Sequence, residues 1–230
     1  MSAQGREREA LVHGLYRQPL TGEEIEARSF AVIDREAPAH TFSAEQWAIV
    51  RRMIHTTADF GLLRDVRFSE RAVESGREAL RRGAPLYVDS NMIRAGLSLA
   101  RLKRVCPAYS AHAIHCHVAD ADVASAARES GLPRSLHAAR KAQGVLDGGI
   151  AVFGNAPVGL LELSRLVLEA GVRPALVVAL PVGFVHVVES KEELMTLGVP
   201  YIALSGRRGG SPLAVSVIHA LCGLAAGAGK

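Results

Sequence analysis

The residues best suited to chemistry cluster in Arg51-Arg52-Met53-Ile54-His55-Thr56-Thr57, where basic and hydroxyl side chains surround one imidazole. Histidine can carry and release a proton near neutral pH, so His55 suits general acid or base catalysis. At the end of a helix the dipole favours the imidazolium, the form a proton donor needs, while Arg51 one turn back opposes it. The competing reading is a helix-terminal histidine that only hydrogen-bonds. A second group, Gly206-Arg207-Arg208-Gly209-Gly210-Ser211, precedes a helix and combines two guanidiniums with backbone amides, which suits an anion. It lacks the Gly-Lys-Ser/Thr of a P-loop, no Gly-x-Gly-x-x-Gly follows the first strand, and no nucleophile elbow occurs. His112, His115 and His117 around Cys116 invite a metal reading, but on a strand His112 faces away from the other two and no carboxylate completes a shell. No metal site and no cofactor are expected.

These groups need elements to hold them. Ser43 followed by Gln46 is a capping box, and Trp47, Val50 and Ile54 recur at helical spacing, so a helix runs to His55 and Thr56 to Gly61 form a loop. Short apolar strands are expected at Leu86 to Val88, within Ala111 to Val118, at Ile150 to Phe153, at Ala175 to Leu180 and at Tyr201 to Leu204. Helices should cover Thr21 or Gly22 to Ile33, a segment from a Ser69 cap to Arg82, Met92 up to the basic Arg101 to Arg104, Asp120 to Ser130, Arg134 to Leu146, Val158 to Ala170, Lys191 to Leu197, and a last stretch through Leu224. Leu11 to Leu20 reads as turn. This alternation predicts a single α/β domain over residues 11–224, with a mostly parallel sheet covered by helices on both faces, a flexible start (1–10) and a flexible tail (225–230). In such sheets ligands sit beyond the carboxyl ends of the strands. The loops Asp89-Ser90-Asn91, Gly154-Asn155-Ala156-Pro157, Pro181-Val182-Gly183 and Gly206 to Gly210 fall there.

The composition narrows the function. The 27 basic against 23 acidic side chains leave a net charge of +4, arginine-heavy and without interleaved aromatics. That pattern fits a small polyanion better than nucleic acid. Three cysteines without a CxxC pair, a polar Met1 to Ala10 and an apolar stretch at Leu176 to Val188 that is too short for a bilayer predict a cytoplasmic chain with no membrane partner.

Four of these segments, in order, look like the signature of the precorrin-8X methylmutase family, which includes the cobalt-precorrin-8 methylmutases: Arg52-Met53-Ile54-His55-Thr56-Thr57, Gly154-Asn155-Ala156-Pro157, Pro181-Val182-Gly183-Phe184-Val185 followed by Glu189-Ser190-Lys191-Glu192, and Gly206 to Ser211. The resemblance runs from about Leu15 to about Leu221. It implies a homodimeric α/β isomerase of cobalamin biosynthesis that moves a methyl group from C-11 to C-12 of a corrinoid polycarboxylate. By the same resemblance His55 protonates the ring, and Ser29, Thr56, Thr57, Arg134, Asn155, Gly183, Arg207, Arg208, Gly209 and Gly210 contact the substrate; Asp89 and Asn91 are expected to join them from their loop beyond a strand end. The alternatives are a corrinoid carrier without chemistry and a nucleotide-binding protein using the Gly206 loop. The sequence departs from the family pattern at Ala58, where glycine is expected, at Val158-Gly159 after Asn-Ala-Pro, and at His186-Val187-Val188.

Overall fold

A computed structural model of the chain describes residues 10–227. The expected flexible start lies outside the described residues except for Ala10, as do the last three residues of the expected tail. The chain divides into two compact units, 1–37 and 38–230. In the first, helix α1 (Val12–Arg17) precedes α2 (Gly22–Glu36). Thr21 caps α2, its hydroxyl accepting from the Glu24 amide at 3.2 Å while Glu24 accepts from the Thr21 amide at 2.7 Å. The turn expected from Leu11 to Leu20 is therefore corrected in part to helix. Six residues with no buried side chain leave no apolar period to read.

The second unit contains α3 (Ala44–Thr57), β1 (Val66–Phe68), α4 (Ala72–Arg81), β2 (Leu86–Val88), α5 (Asn91–Gly96), α6 (Leu99–Val105), β3 (Ile114–His115), α7 (Ala121–Ser130), α8 (Arg134–Lys141), α9 (Gln143–Leu146), β4 (Ile150–Phe153), α10 (Pro157–Glu169), β5 (Leu176–Ala179), α11 (Val187–Met195), β6 (Tyr201–Leu204) and α12 (Ser211–Ala225). The six strands form one sheet in the order β1-β6-β5-β4-β2-β3. All neighbours are parallel except β1, which pairs antiparallel with β6 in the register Val66↔Leu204. The sheet is mostly parallel, as expected.

Alternation along the strands divides the core into two layers. Tyr87, Ala151, Phe153, Val177, Ala179 and Ala203 pack with Leu160, Leu163 and Leu166 of α10, Ala139 of α8 and Leu194 of α11. The opposite face meets α4 and α12. A Cβ on Gly76 of α4 would come within 2.9 Å of Leu176 and 3.2 Å of Leu221, so any larger residue would have to push these leucine ends aside. Helix α3 rests on α12 with Ile49, Val50, Met53 and Ile54 fully buried. Four-residue strands such as Ile150–Phe153, buried on both faces, explain why the sequence shows continuous apolar runs.

Several expectations need correction. β1 was absent from the expected strands, because three residues with Arg67 at the centre give no apolar run. The hydroxyl of Ser69 does not cap α4; it accepts from the Tyr201 amide at 2.9 Å and so helps fasten the end of β1 to β6. The single helix expected from Met92 into Arg101 to Arg104 is two, α5 and α6, since Ser98 caps a fresh start with its hydroxyl accepting from the Arg101 amide. The strand expected within Ala111 to Val118 is only two residues long; His112 lies in a 3-10 turn and His117 beyond the strand. Helix α11 starts at Val187, four residues before the expected Lys191.

Candidate active site

The site is built around the end of α3. Ser43 and Gln46 close the capping box at the helix start, with the Ser43 amide donating to Gln46 at 3.0 Å and the Gln46 amide to Ser43 at 3.2 Å. The buried face then fixes the helix, and His55 and Thr56 fall on its exposed side. The loop expected after His55 is corrected here, because Thr56 and Thr57 are helical. Their hydroxyls donate to the carbonyls one turn back, Thr56 to Arg52 at 2.9 Å and Thr57 to Met53 at 3.1 Å. Each hydroxyl keeps lone pairs that can still accept. Ala58 ends the helix in the left-handed region at φ 54°. Asp59 then caps a 3-10 turn, Phe60–Arg64, by accepting from the Gly61 amide at 2.7 Å.

The β6–α12 loop reaches this helix end through Arg208. Its guanidinium ion-pairs with Asp59, four residues past His55, and donates to Asp65 at 3.2 Å. Arg207 takes another course, exposed and 5.5 Å over the ring of Phe184, which is itself 83% exposed. The two neighbouring arginines thus divide their work: one ties the loop to α3, the other is displayed to solvent on an aromatic face.

The same loop lies tight beneath the β5–α11 segment. The Gly210 amide donates to the Leu180 carbonyl at 2.8 Å and the Gly183 amide to the Arg207 carbonyl at 3.3 Å. A Cβ on Gly209 would stand 2.2 Å from the Leu180 carbonyl oxygen, so that glycine permits the approach. Lys191 of α11, with no exposed surface, donates from Nζ to the carbonyls of Gly206 at 2.9 Å and Arg208 at 2.8 Å. Burial pushes its ammonium down to about 8, with Asp65 opposing the shift. Gly183, Arg207, Arg208, Gly209 and Gly210 are therefore brought together with the α3 terminus.

Asp89 and Asn155 belong to a second focus, where β2 and β4 lie side by side and the chain switches direction across the sheet. Asp89 is 2% exposed, and its carboxylate accepts from the amides of Gly154 at 3.1 Å, Asn155 at 2.8 Å and Ala156 at 2.7 Å. The protein's own carboxylate fills the anion site at the start of α10. Burial pushes this carboxyl up while the three amides pull it down. The next residue, Ser90, shares a 3.0 Å hydroxyl contact with Ser211 at the start of α12. Asn155 and Asn91 are exposed, and Arg134 is exposed at the first turn of α8, which packs on α10. Ser29 is half-buried on α2 of the N-terminal unit.

Sequence reasoning passed over Asp59, Asp65 and Lys191. A signal for Lys191 existed: Val187, Lys191 and Leu194 share one helical stripe, so the lysine stands on the buried face. Among the histidines near β3, His117 Nδ1 lies 2.9 Å from Asp120, which also pairs with Lys141 at 2.7 Å. Among the described residues no group of three or more His, Cys, Asp or Glu is placed to hold a metal ion. No helix among them is long and apolar enough to cross a membrane.

The mostly parallel sheet, with a glycine- and arginine-bearing loop tied to the end of the helix that carries an exposed histidine, places the chain in the open α/β class, with groups of the kind that bind anions. The family profile for precorrin-8X methylmutase matches residues 24–224, and the chain belongs to that family of isomerases in cobalamin biosynthesis. It is 41% identical to the cobalt-precorrin-8 methylmutase of Leptospira interrogans, over 87% of this chain and 92% of the relative. It is 38% identical to the precorrin-8X methylmutase of Pseudomonas aeruginosa, over 87% and 94%. The crystal structure of precorrin-8x methyl mutase from Thermus thermophilus superposes with a TM-score of 0.82 at 43% identity, covering 90% of this chain and 98% of that one.

Proposed function

We propose that this chain moves the methyl group from C-11 to C-12 of precorrin-8X, or of its cobalt form, with His55 as the proton donor to the ring. A methyl shift between adjacent ring atoms leaves the atoms of the macrocycle unchanged in number and oxidation level. It therefore asks for a proton held at the right edge and a ring held in shape. The observation that carries the reading is the exposed position of His55 on a helix end anchored by buried Ile49, Val50, Met53 and Ile54 and tied through Asp59 to Arg208. A solvent-facing imidazole on an anchored helix end suits proton transfer to a bound ligand.

In this reading the substrate's carboxylates meet Arg207 and the loop glycines Gly183, Gly209 and Gly210, with Thr56 and Thr57 offering lone pairs beside His55. Arg208 organises the loop, being engaged by Asp59 and Asp65 already. Asp89 shapes the start of α10, and Asn91, Asn155 and Arg134 form the outer contacts. The protein acts in the cytoplasm as a homodimer, its exposed Val182, Phe184 and Val185 offering apolar surface beside the β6–α12 loop.

The deciding experiment follows the absorbance of precorrin-8X with the wild-type protein and with His55→Ala. Conversion that falls by about 10²–10⁴-fold in the variant, with ligand binding retained, fits general acid catalysis. Full conversion by the variant would remove His55 from the chemistry, and binding without conversion by both proteins would point to a carrier.

A further inference from the structure

Three successive carbonyls of the β6–α12 loop are held from the β5–α11 segment: Arg207 by the Gly183 amide, and Gly206 and Arg208 by the ammonium of Lys191. The lysine is the one side chain among these donors. It reaches its acceptors from the buried face of α11, where Val187 and Leu194 flank it in the core. Burying an ammonium is costly unless strong acceptors compensate. Two carbonyls at 2.8 and 2.9 Å supply that compensation, and in return the ammonium fixes the peptide units on both sides of Arg207. A neutral side chain of similar length would fill the same space and leave both carbonyls without that donor.

We propose that Lys191 is a positioning residue of the methylmutase reaction: by clamping the carbonyls of Gly206 and Arg208 from below, it fixes where Arg207 presents its guanidinium to a substrate carboxylate. It touches no reacting atom, so its effect falls on substrate affinity and leaves the proton-transfer step alone. The role rests on the reading of Arg207 as a substrate contact, whereas the clamp itself does not.

The test compares wild type with Lys191→Met, which keeps length and apolar packing and removes the donor. In steady-state conversion of precorrin-8X, KM rises about tenfold or more while kcat stays within about threefold, the pattern of lost binding common to ground and transition states. In parallel, both folded proteins are exposed to dilute trypsin, and cleavage after Arg207 and Arg208 is followed by fragment mass. The unclamped loop is cut about tenfold faster at these two bonds, with the rates at other sites unchanged. Should Lys191→Met fail to fold, Lys191→Leu, which also lacks a donor, is read by the same two measurements. A kcat loss at constant KM, or equal trypsin resistance of the loop, overturns the proposal. If wild type converts no precorrin-8X, the functional reading fails by itself, and the cleavage rates still decide whether Lys191 holds the loop.

Discussion

The guanidinium of Arg208 and the carboxylate of Asp59 form an ion pair that joins the β6–α12 loop to the end of the helix carrying His55. Asp65 shares the same guanidinium at 3.2 Å, so the contact is a small network. Arg208 and Asp59 are 40% and 45% exposed, and solvent screens much of the attraction. Arg208→Ala should cost only about 1 kcal/mol of stability. The catalytic loss should be larger, roughly tenfold or more in kcat/KM, because the loop and the histidine helix lose their tie. A double-mutant cycle with Asp59→Asn, read by urea unfolding, should give a coupling of about 0.5–1 kcal/mol. Strictly additive losses would mean that the two side chains do not hold each other in solution.

Asp89 carries a different expectation. Its carboxylate faces three backbone amides in a buried setting, so Asp89→Ala removes the acceptor from the amides of Gly154, Asn155 and Ala156 that lead into α10 and leaves them without a replacement. The loss should be about 3 kcal/mol or more by urea denaturation. KM of the folded fraction should stay within about threefold. The exposed Asn91, two residues on, offers the contrast: Asn91→Ala should leave stability within about 0.5 kcal/mol. A large KM effect in Asp89→Ala without a stability loss would return Asp89 to the substrate contacts.

Lys191 gives the pH dependence a definite sign. Burial lowers its ammonium from the ordinary 10.5 to about 8, against the pull of Asp65. Between those values the unfolded chain binds more protons at this site than the folded one, so this group's contribution to stability rises with pH across the window. Below about 8 both states are charged and the contribution is flat. The difference in unfolding free energy between wild type and Lys191→Met should therefore climb with pH by on the order of 2 kcal/mol between about pH 7.5 and about pH 10. A difference that is flat or falls over that range would show that the lysine is not held as a buried cation.

The parallel strands, the capped helix before His55 and the glycine loops beyond the strand ends were legible because each has a local cause: an apolar run, a Ser43/Gln46 box, a glycine cluster. β1 was not, because Val66–Phe68 becomes a strand only through pairing with β6, more than a hundred residues away. The same limit governs the site. His55 and the arginine loop could be named from residue type, but their junction depends on Asp59 and Asp65, whose carboxylates look like ordinary loop residues until folding brings Arg208 to them. Asp89 was read as facing a ligand because it ends a strand, and only the fold reveals that the start of α10 already occupies it.

Two of the family departures, Ala58 and His186, are the two non-glycine residues at positive φ among the described residues, at 54° and 59°. Ala58 closes α3 in the left-handed region and is exposed, so a glycine there would forfeit little buried surface. The left-handed conformation costs a non-glycine residue about 1–2 kcal/mol. Glycine removes that strain and gives back part of the gain through its freer unfolded chain. Ala58→Gly should therefore stabilise by about 0.5–1 kcal/mol. Gly131 ends α7 at φ 70° with open space where a Cβ would stand, so Gly131→Ala should destabilise by a similar amount. Both changes can be read in one set of urea titrations, each serving as the other's control. If Ala58→Gly destabilises while Gly131→Ala also does, the helix end at His55 is held by something other than the local backbone geometry.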